Sequence, residues 1–307
     1  MRCKQPWRGA GLLGLALLGA GCGKKEPSVL AAPPGSAAAP SGSAPVASAK
    51  PVVPAAPVAS GMPLPAEAVS RAVNPQNLPV YSGPTGSVKG VVTAKGDLAP
   101  ATTEHLAKIK GACPEARSAY GHLFREGMMR NLADVLVAVT EYSGYVPAKE
   151  PKQTVAARGC AFSTRTIAIT FGQTIDVVSK DGEAYVPNLI GSQMKAQLLA
   201  LPGGAASTLY PPAPGHYLLT DDIKVYMMAD VFVLSYATHA VTGLDGRFEI
   251  TGIPVGKARI SALLPATNAL VEKDIEIKAG ETLDIPLALG FDAKAATAKP
   301  APSAAPH

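Results

Sequence analysis

Tryptophan is nearly missing from these 307 residues, with Trp7 the single example, and aromatic residues of all kinds make up 5%. Cysteine is almost as scarce: four are present, no two of them spaced Cys-x-x-Cys, which leaves no framework for a zinc ribbon or an iron–sulfur cluster. The chain also has no G-x-S-x-G, no H-E-x-x-H and no glycine-rich phosphate loop ahead of a helix. Of the five histidines, none pairs with another at H-x-H or H-x-x-x-H spacing. Charge of either sign is thin, 28 basic against 23 acidic residues. No apolar run approaches the ~20 residues that a bilayer-spanning helix needs.

The first 22 residues explain part of the basic excess. Arg2, Lys4 and Arg8 precede a short apolar run, Gly9 to Leu18, and the run closes on Gly19-Ala20-Gly21-Cys22. This order of charge, short apolar core and small residues is that of a cleaved secretory signal. It resembles the bacterial lipobox, with Gly19 where that pattern favours Leu. The resemblance implies a lipidated Cys22 and a membrane anchor. With Gly23-Lys24-Lys25 following and no Asp in the second mature position, it implies an outer-membrane lipoprotein, facing either periplasm or surface. Removing Arg2, Lys4 and Arg8 from the 28 basic residues leaves 25 against 23, too even a balance for a nucleic-acid partner. Cys3 leaves with the signal and Cys22 carries lipid. Cys113 and Cys160 then remain as thiols in an oxidising compartment, and a disulfide between them is expected.

Residues 23–82 are rich in Pro, Ala and Ser and show no apolar periodicity, so they are expected to form a disordered linker. As a coil, ~55 such residues reach on the order of 40 Å. The tail 291–307 repeats the composition and is expected to be disordered as well. Between them the texture is strand and turn. Short apolar or alternating runs recur at Ser87 to Thr93, Asp134 to Thr140, Thr166 to Phe171, Ile223 to Ala229, Arg247 to Ile250 and Ala258 to Leu263. Turn signals such as Lys180-Asp181-Gly182, Asp245-Gly246 and Ala279-Gly280-Glu281 punctuate them. The pattern predicts a mostly β fold, a β-sandwich, with a short helical insertion between Thr103 and Met129.

At one end, Gly86-Ser87-Val88-Lys89-Gly90-Val91-Val92 and the stretch from Ala240 to Lys257 resemble the carboxypeptidase regulatory-like, transthyretin-related sandwich. In the latter, Asp245-Gly246 makes a hairpin turn, Phe248 and Ile250 face the core, and Pro254 to Gly256 turn into the next strand. The middle resembles a cupredoxin. Gly159-Cys160-Ala161-Phe162, then Thr166 to Ile169 and Phe171-Gly172-Gln173-Thr174-Ile175, match that group's G-C-x-F strand and the hairpin after it. These resemblances imply a cupredoxin-like sandwich over 83–235 and regulatory-like strands over 236–290 that pair with 86–94.

A type 1 copper site takes two imidazoles, a thiolate and a weak axial thioether. The family's ligand positions fall on Pro187 (Val186 in the alternative register), Asp222, Val225 and Met228, so only the Met is kept. The resemblance therefore implies a sandwich without copper, without any cofactor, and with Met228 packed in the core beside Val225. Met227 and Met228 point to opposite faces of a strand. The expected function is non-enzymatic: an envelope lipoprotein that binds an envelope protein, peptidoglycan or a glycan. The competing reading is a copper-binding or electron-carrying protein with an atypical site drawn from Met194, His216, Met228 and His239. A third is an enzyme with unrecognised residues. His105 and His122 fall in the insertion and Asp221-Asp222 at a strand start, where ordinary surface and turn chemistry accounts for them.

Overall fold

A computed structural model describes residues 63–109, 113–192 and 198–298 of the chain. The signal, Cys22, the linker up to residue 62, Met194 and the tail from residue 299 lie outside the described residues. The strands in chain order are β1 (Thr85–Gly96), β2 (Leu136–Thr140), β3 (Lys152–Arg158), β4 (Ala161–Phe162), β5 (Thr166–Thr170), β6 (Thr174–Ser179), β7 (Pro187–Ile190) and β8 (Ser207–Leu209). They continue as β9 (Gly215–Asp221), β10 (Met228–Leu234), β11 (His239–Val241), β12 (Arg247–Pro254), β13 (Gly256–Leu264), β14 (Ala269–Ile277), β15 (Thr282–Asp284) and β16 (Leu287–Phe291). Among the described residues four short α-helices accompany them, α1 (Ala66–Val73), α2 (Thr103–Lys108), α3 (Pro114–Tyr120) and α4 (Ala293–Ala298), with a 3-10 turn at Met128–Arg130. The protein is mostly β.

The strands build two sandwiches, one nested in the other. Sheets β5-β10-β9-β7 and β4-β3-β6-β8 enclose one core, with Ile167, Ile169, Val231 and Leu219 meeting Val155, Ile175, Val177 and Leu209. This middle sandwich runs from Lys152 to Leu234 without interruption. The outer sandwich uses chain from both sides of it. β1 lies between β12 and β15, with β16 on its second half, and faces the sheet β11-β2-β13-β14. Val88, Val92, Phe248 and Ile250 there meet Val137, Val139, Ile260 and Ile275. Alternation of buried and exposed residues along β1, β12 and β13 is the period-two pattern that directs one face inward. At Gly90, where β1 passes from β15 to β16, a Cβ would collide with the carbonyl of Ile285, so only glycine admits that approach.

Three boundaries differ from the sequence reading. The sandwich expected to begin at residue 83 does not, because β1 and β2 belong to the outer sandwich: Leu136 to Thr140 pairs with β11 and β13. The linker does not extend through residue 82, because 66–73 is helical and Leu64, Val69, Ala72 and Val73 pack against the middle core. These apolar residues are too few among Pro, Ala and Ser to register as a pattern over a longer window. The tail is not structureless from residue 291, since Phe291 ends β16 and α4 follows, with Asp97 accepting from the Ala293 N–H.

The insertion spans both cores. Cys113, Ala116, Ala119 and Tyr120 pack in the middle sandwich, and Phe124 and Leu132 in the outer one. Cys113 and Cys160 form a disulfide, with Cα atoms 5.3 Å apart, that pins α3 to the turn before β4. Across its separation of 47 residues, chain entropy gives a contribution of about 4 kcal/mol. Replacing both cysteines by serine should lower unfolding free energy by roughly that amount in a urea titration. An unchanged midpoint would mean that α3 is held by packing alone.

Candidate functional site

The positions aligned with copper ligands do not converge on a site. Pro187 is buried at the head of β7 and pairs in register with Asp221 at the end of β9. The Asp221 carboxylate, 1% exposed, accepts from the backbone N–H groups of Val186 (2.6 Å), Ile223 (3.0 Å) and Lys224 (2.6 Å). This closes the loop into a capped turn, the local use of a carboxylate that turns favour. Asp222 is exposed and accepts from Asn188 Nδ2 at 3.1 Å. The expected core positions of Val225 and Met228 are not found. Val225 is 61% exposed, Met228 is half-buried at the start of β10, and Met227 is the fully buried methionine. The turn sets the register of β10, so Ala229, Val231 and Val233 take the inward positions and Met228 the outward one.

The histidines are likewise dispersed. His216 Nε2 lies 2.8 Å from Asp230 Oδ1 on an exposed sheet face and stacks on Phe232. His122 is exposed and its carbonyl accepts from Arg165. The side chain of His105 lies outside the described residues. His239 sits on β11 with Nε2 3.3 Å from Thr170 Oγ1, and burial holds its imidazole down at about 4, so it is neutral near pH 7. Among the described residues no three or more His, Cys, Asp or Glu side chains gather as a metal site. No described helix is long and apolar enough to cross a membrane.

The densest polar cluster lies between the sandwiches, around Asp134. Its carboxylate, 4% exposed, takes a two-pronged contact from Arg125 at 2.6 and 2.5 Å. It also accepts from Thr164 Oγ1 (3.1 Å) and the Arg165 N–H (2.8 Å). The backbone of Asp134 accepts from Thr166 Oγ1 and donates to the Thr242 carbonyl. Burial works against the Arg125 charge, but the hydrogen bonds and the charge of Asp134 hold its guanidinium above its ordinary value. Arg165 is pulled below its own by burial, which Asp134 partly offsets. Asp134 has φ +63°, a left-handed conformation that Asp tolerates better than most side chains. The sequence showed Asp134 only as the polar start of the run to Thr140. The one available signal was a carboxylate directly before five buried apolar residues, Val135 to Val139.

Beside this cluster opens a cleft of about 590 Å³. Gln153 and Thr154 of β3, Ser163 and Thr164 of the turn before β5, and Thr166 to Ala168 of β5 form one wall. His239 to Leu244, on and after β11, form the other. The lining is rich in hydroxyls and contains no Phe, Tyr or Trp. The volume falls within the range of small-ligand sites.

No protein-family model matches this chain, and no curated protein is found similar to it. Among solved structures it is similar to a reduced mutant of amicyanin, with 12% identity, a TM-score of 0.25, and coverage of 32% of this chain and 98% of that one. It is also similar to amicyanin from Paracoccus versutus, with 17% identity, a TM-score of 0.25, and coverage of 32% and 97%. A copper-containing nitrite reductase from Thermus scotoductus has 20% identity and a TM-score of 0.24, over 31% of this chain and 25% of that one. The chain is thus distantly similar in structure to cupredoxins over about a third of its length.

Removing one partner of a buried ion pair strands the other. Asp134→Ala should therefore lower stability by about 3–5 kcal/mol in urea unfolding, far beyond an exposed control such as Asp245→Ala. A loss under 1 kcal/mol would refute the central place given to this carboxylate.

The His239 imidazole titrates lower in the folded chain (about 4) than in the unfolded one (6.5). The unfolded chain therefore binds the extra proton first, and stability falls as pH drops from about 6.5 towards 4. The loss from this residue should reach about 2 kcal/mol by pH 5, and His239→Gln should remove that part of the slope. Identical slopes in the two proteins would rule the assignment out.

Proposed function

We propose that this chain is a non-enzymatic outer-membrane lipoprotein, anchored through Cys22, whose paired sandwiches bind an envelope component without metal. In this reading the middle sandwich is a cupredoxin relative that has lost its copper ligands. The outer one is a regulatory-like module that braces it. The observation that carries the proposal is the cleft beside Asp134: a preformed, hydroxyl-lined surface between two rigid sandwiches.

Chemistry within that cleft is poorly provided for. Catalysis by a hydroxyl nucleophile needs an adjacent base that a third group orients. The Thr170 hydroxyl, behind the cleft wall, is bound to the Tyr236 carbonyl as well as to the cleft's His239, and among the described residues no carboxylate is hydrogen-bonded to that imidazole. At the copper-aligned positions, the side chains of Pro187 and Val225 offer no ligand atom, and the exposed Asp222 carboxylate accepts from Asn188 Nδ2.

Titrating the purified mature protein with one equivalent of Cu(II) should give neither a thiolate charge-transfer band nor a higher melting temperature. Adding soluble peptidoglycan fragments or extended peptides to the isotope-labelled protein should shift NMR signals of Thr154, Ile167 and Val241. Saturable one-to-one copper binding with a raised melting temperature would replace this proposal with the carrier reading. Shifts confined to other surfaces would move the binding site.

A further inference from the structure

The walls of the cleft are strand edges, and pairing parity shows which way their backbones point. In the parallel ladder between β5 and β10, the Asp230 N–H donates to the Arg165 carbonyl and the Phe171 N–H to that of Leu234. The odd-numbered residues of β5 therefore face β10, and the even-numbered ones face away. Thr166 and Thr170 satisfy outward groups locally: their N–H groups donate to Thr164 Oγ1 and Gln173 Oε1. Ala168, between them, is 9% exposed, and its N–H and C=O have no partner among the described residues.

The same argument applies to the other two edges. Val139 donates to the Thr238 carbonyl and Thr242 to that of Val135, so the backbones of Thr238, Ala240 and Thr242 face β2. The N–H and C=O groups of His239 and Val241 face the cleft instead, and β11 is the last strand of its sheet. On β3, Thr174 and Lys180 donate to the carbonyls of Pro151 and Ala157, so the odd-numbered residues face β6. The Thr154 backbone faces outward, beyond the reach of two-residue β4; its carbonyl takes a long contact from Gln153 Nε2 at 3.4 Å, and its N–H is open among the described residues.

Three open edges thus converge on one cleft, and at Ala168 the open groups are buried. Buried backbone groups are almost always paired, so an orphaned N–H and C=O pair in a cleft calls for a partner carrying both an acceptor and a donor. A peptide backbone supplies that pair at every second residue. The short side chains of Thr154, Ser163 and Ala168 and the bare Gly243 let a backbone come close, and no Phe, Tyr or Trp is offered for a sugar to stack on.

We propose that the cleft receives an extended polypeptide segment of another envelope protein, bound through its backbone to the outward N–H and C=O groups of Thr154, Ala168, His239 and Val241. This is strand addition to a sheet edge, with Ala168 the residue of β5 that pairs, since Thr166 and Thr170 are satisfied locally. The proposal rests on the cleft being the binding surface and specifies its partner. Sequence preference would be loose, because main-chain contacts give the affinity and the lining holds few pockets for large side chains.

The test pans a phage-displayed random 12-residue peptide library against the mature protein and uses a synthetic copy of the strongest binder. Methylating alternate backbone nitrogens of that peptide should weaken binding at least tenfold. Ala168→Pro and Val241→Pro each remove an N–H that points away from the ladder, so both should keep the melting temperature and lose at least tenfold in affinity. Equal binding of the methylated peptide, or equal binding by both folded proline variants, overturns the proposal. If a variant fails to fold, the methylated peptides decide the question on the unaltered protein. If no peptide binds but soluble glycan strands shift Ile167 and Val241, strand addition fails and the cleft reading stands. If neither ligand shifts the cleft, both fail.

Discussion

One buried carboxylate ties this molecule together. Asp134 belongs by sequence to the approach to β2, in the outer sandwich, yet it accepts from Thr164 and Arg165 of the middle sandwich and from Arg125 of the insertion. A charge 4% exposed is tolerable only when its lone pairs are filled. Here two side chains and a backbone N–H fill them, each from a different part of the chain than the acid itself. The relative placement of the sandwiches is therefore coupled to a hydrogen-bond geometry as well as to apolar contact, and apolar contact alone specifies direction poorly. The cleft inherits its shape from this cluster, because Thr164 and Thr166 form part of its wall.

The insertion gains meaning in this setting. Arg125 would be costly to bury without Asp134, and Arg165, also largely buried, reaches the carbonyls of Ala119 and His122. The disulfide fixes one end of the insertion to β4's turn, and Phe124 and Leu132 fix the other in the outer core. What reads in sequence as a weakly helical interruption acts as a bracket, covalent on one side and ionic on the other.

Strand-forming residues were legible because they obey a local rule. Period-two alternation marks Ser87 to Thr93 and Arg247 to Ile250, and glycine-bearing turns separate the runs. The Cys113–Cys160 pairing was legible by elimination of the other two thiols, and it is present. Assignment of strands to sandwiches was harder, because pairing is non-local: nothing near Leu136 to Thr140 states that its partners are β11 and β13, a hundred residues on. Helix α1 was missed for a related reason, its apolar face being only a few residues wide within a Pro/Ala/Ser background. The cleft was invisible, since its walls are backbone edges of three strands that meet only in space, and Met228 turned outward because a capped turn reset the register ahead of β10.

The nesting of one sandwich inside the other has a consequence for how the chain is made. β1 is central to its sheet, yet its partners β12, β15 and β16 lie between Arg247 and Phe291, beyond the entire middle sandwich. On a chain that emerges from its N-terminus, β1 must wait with both edges bare while the middle sandwich, contiguous from Lys152 to Leu234, completes itself. Bare edges in a Val-rich strand are templates for wrong pairing, and closing so long a loop is slow. The interval between synthesis of β1 and arrival of β12 is therefore the period in which this protein most needs a chaperone.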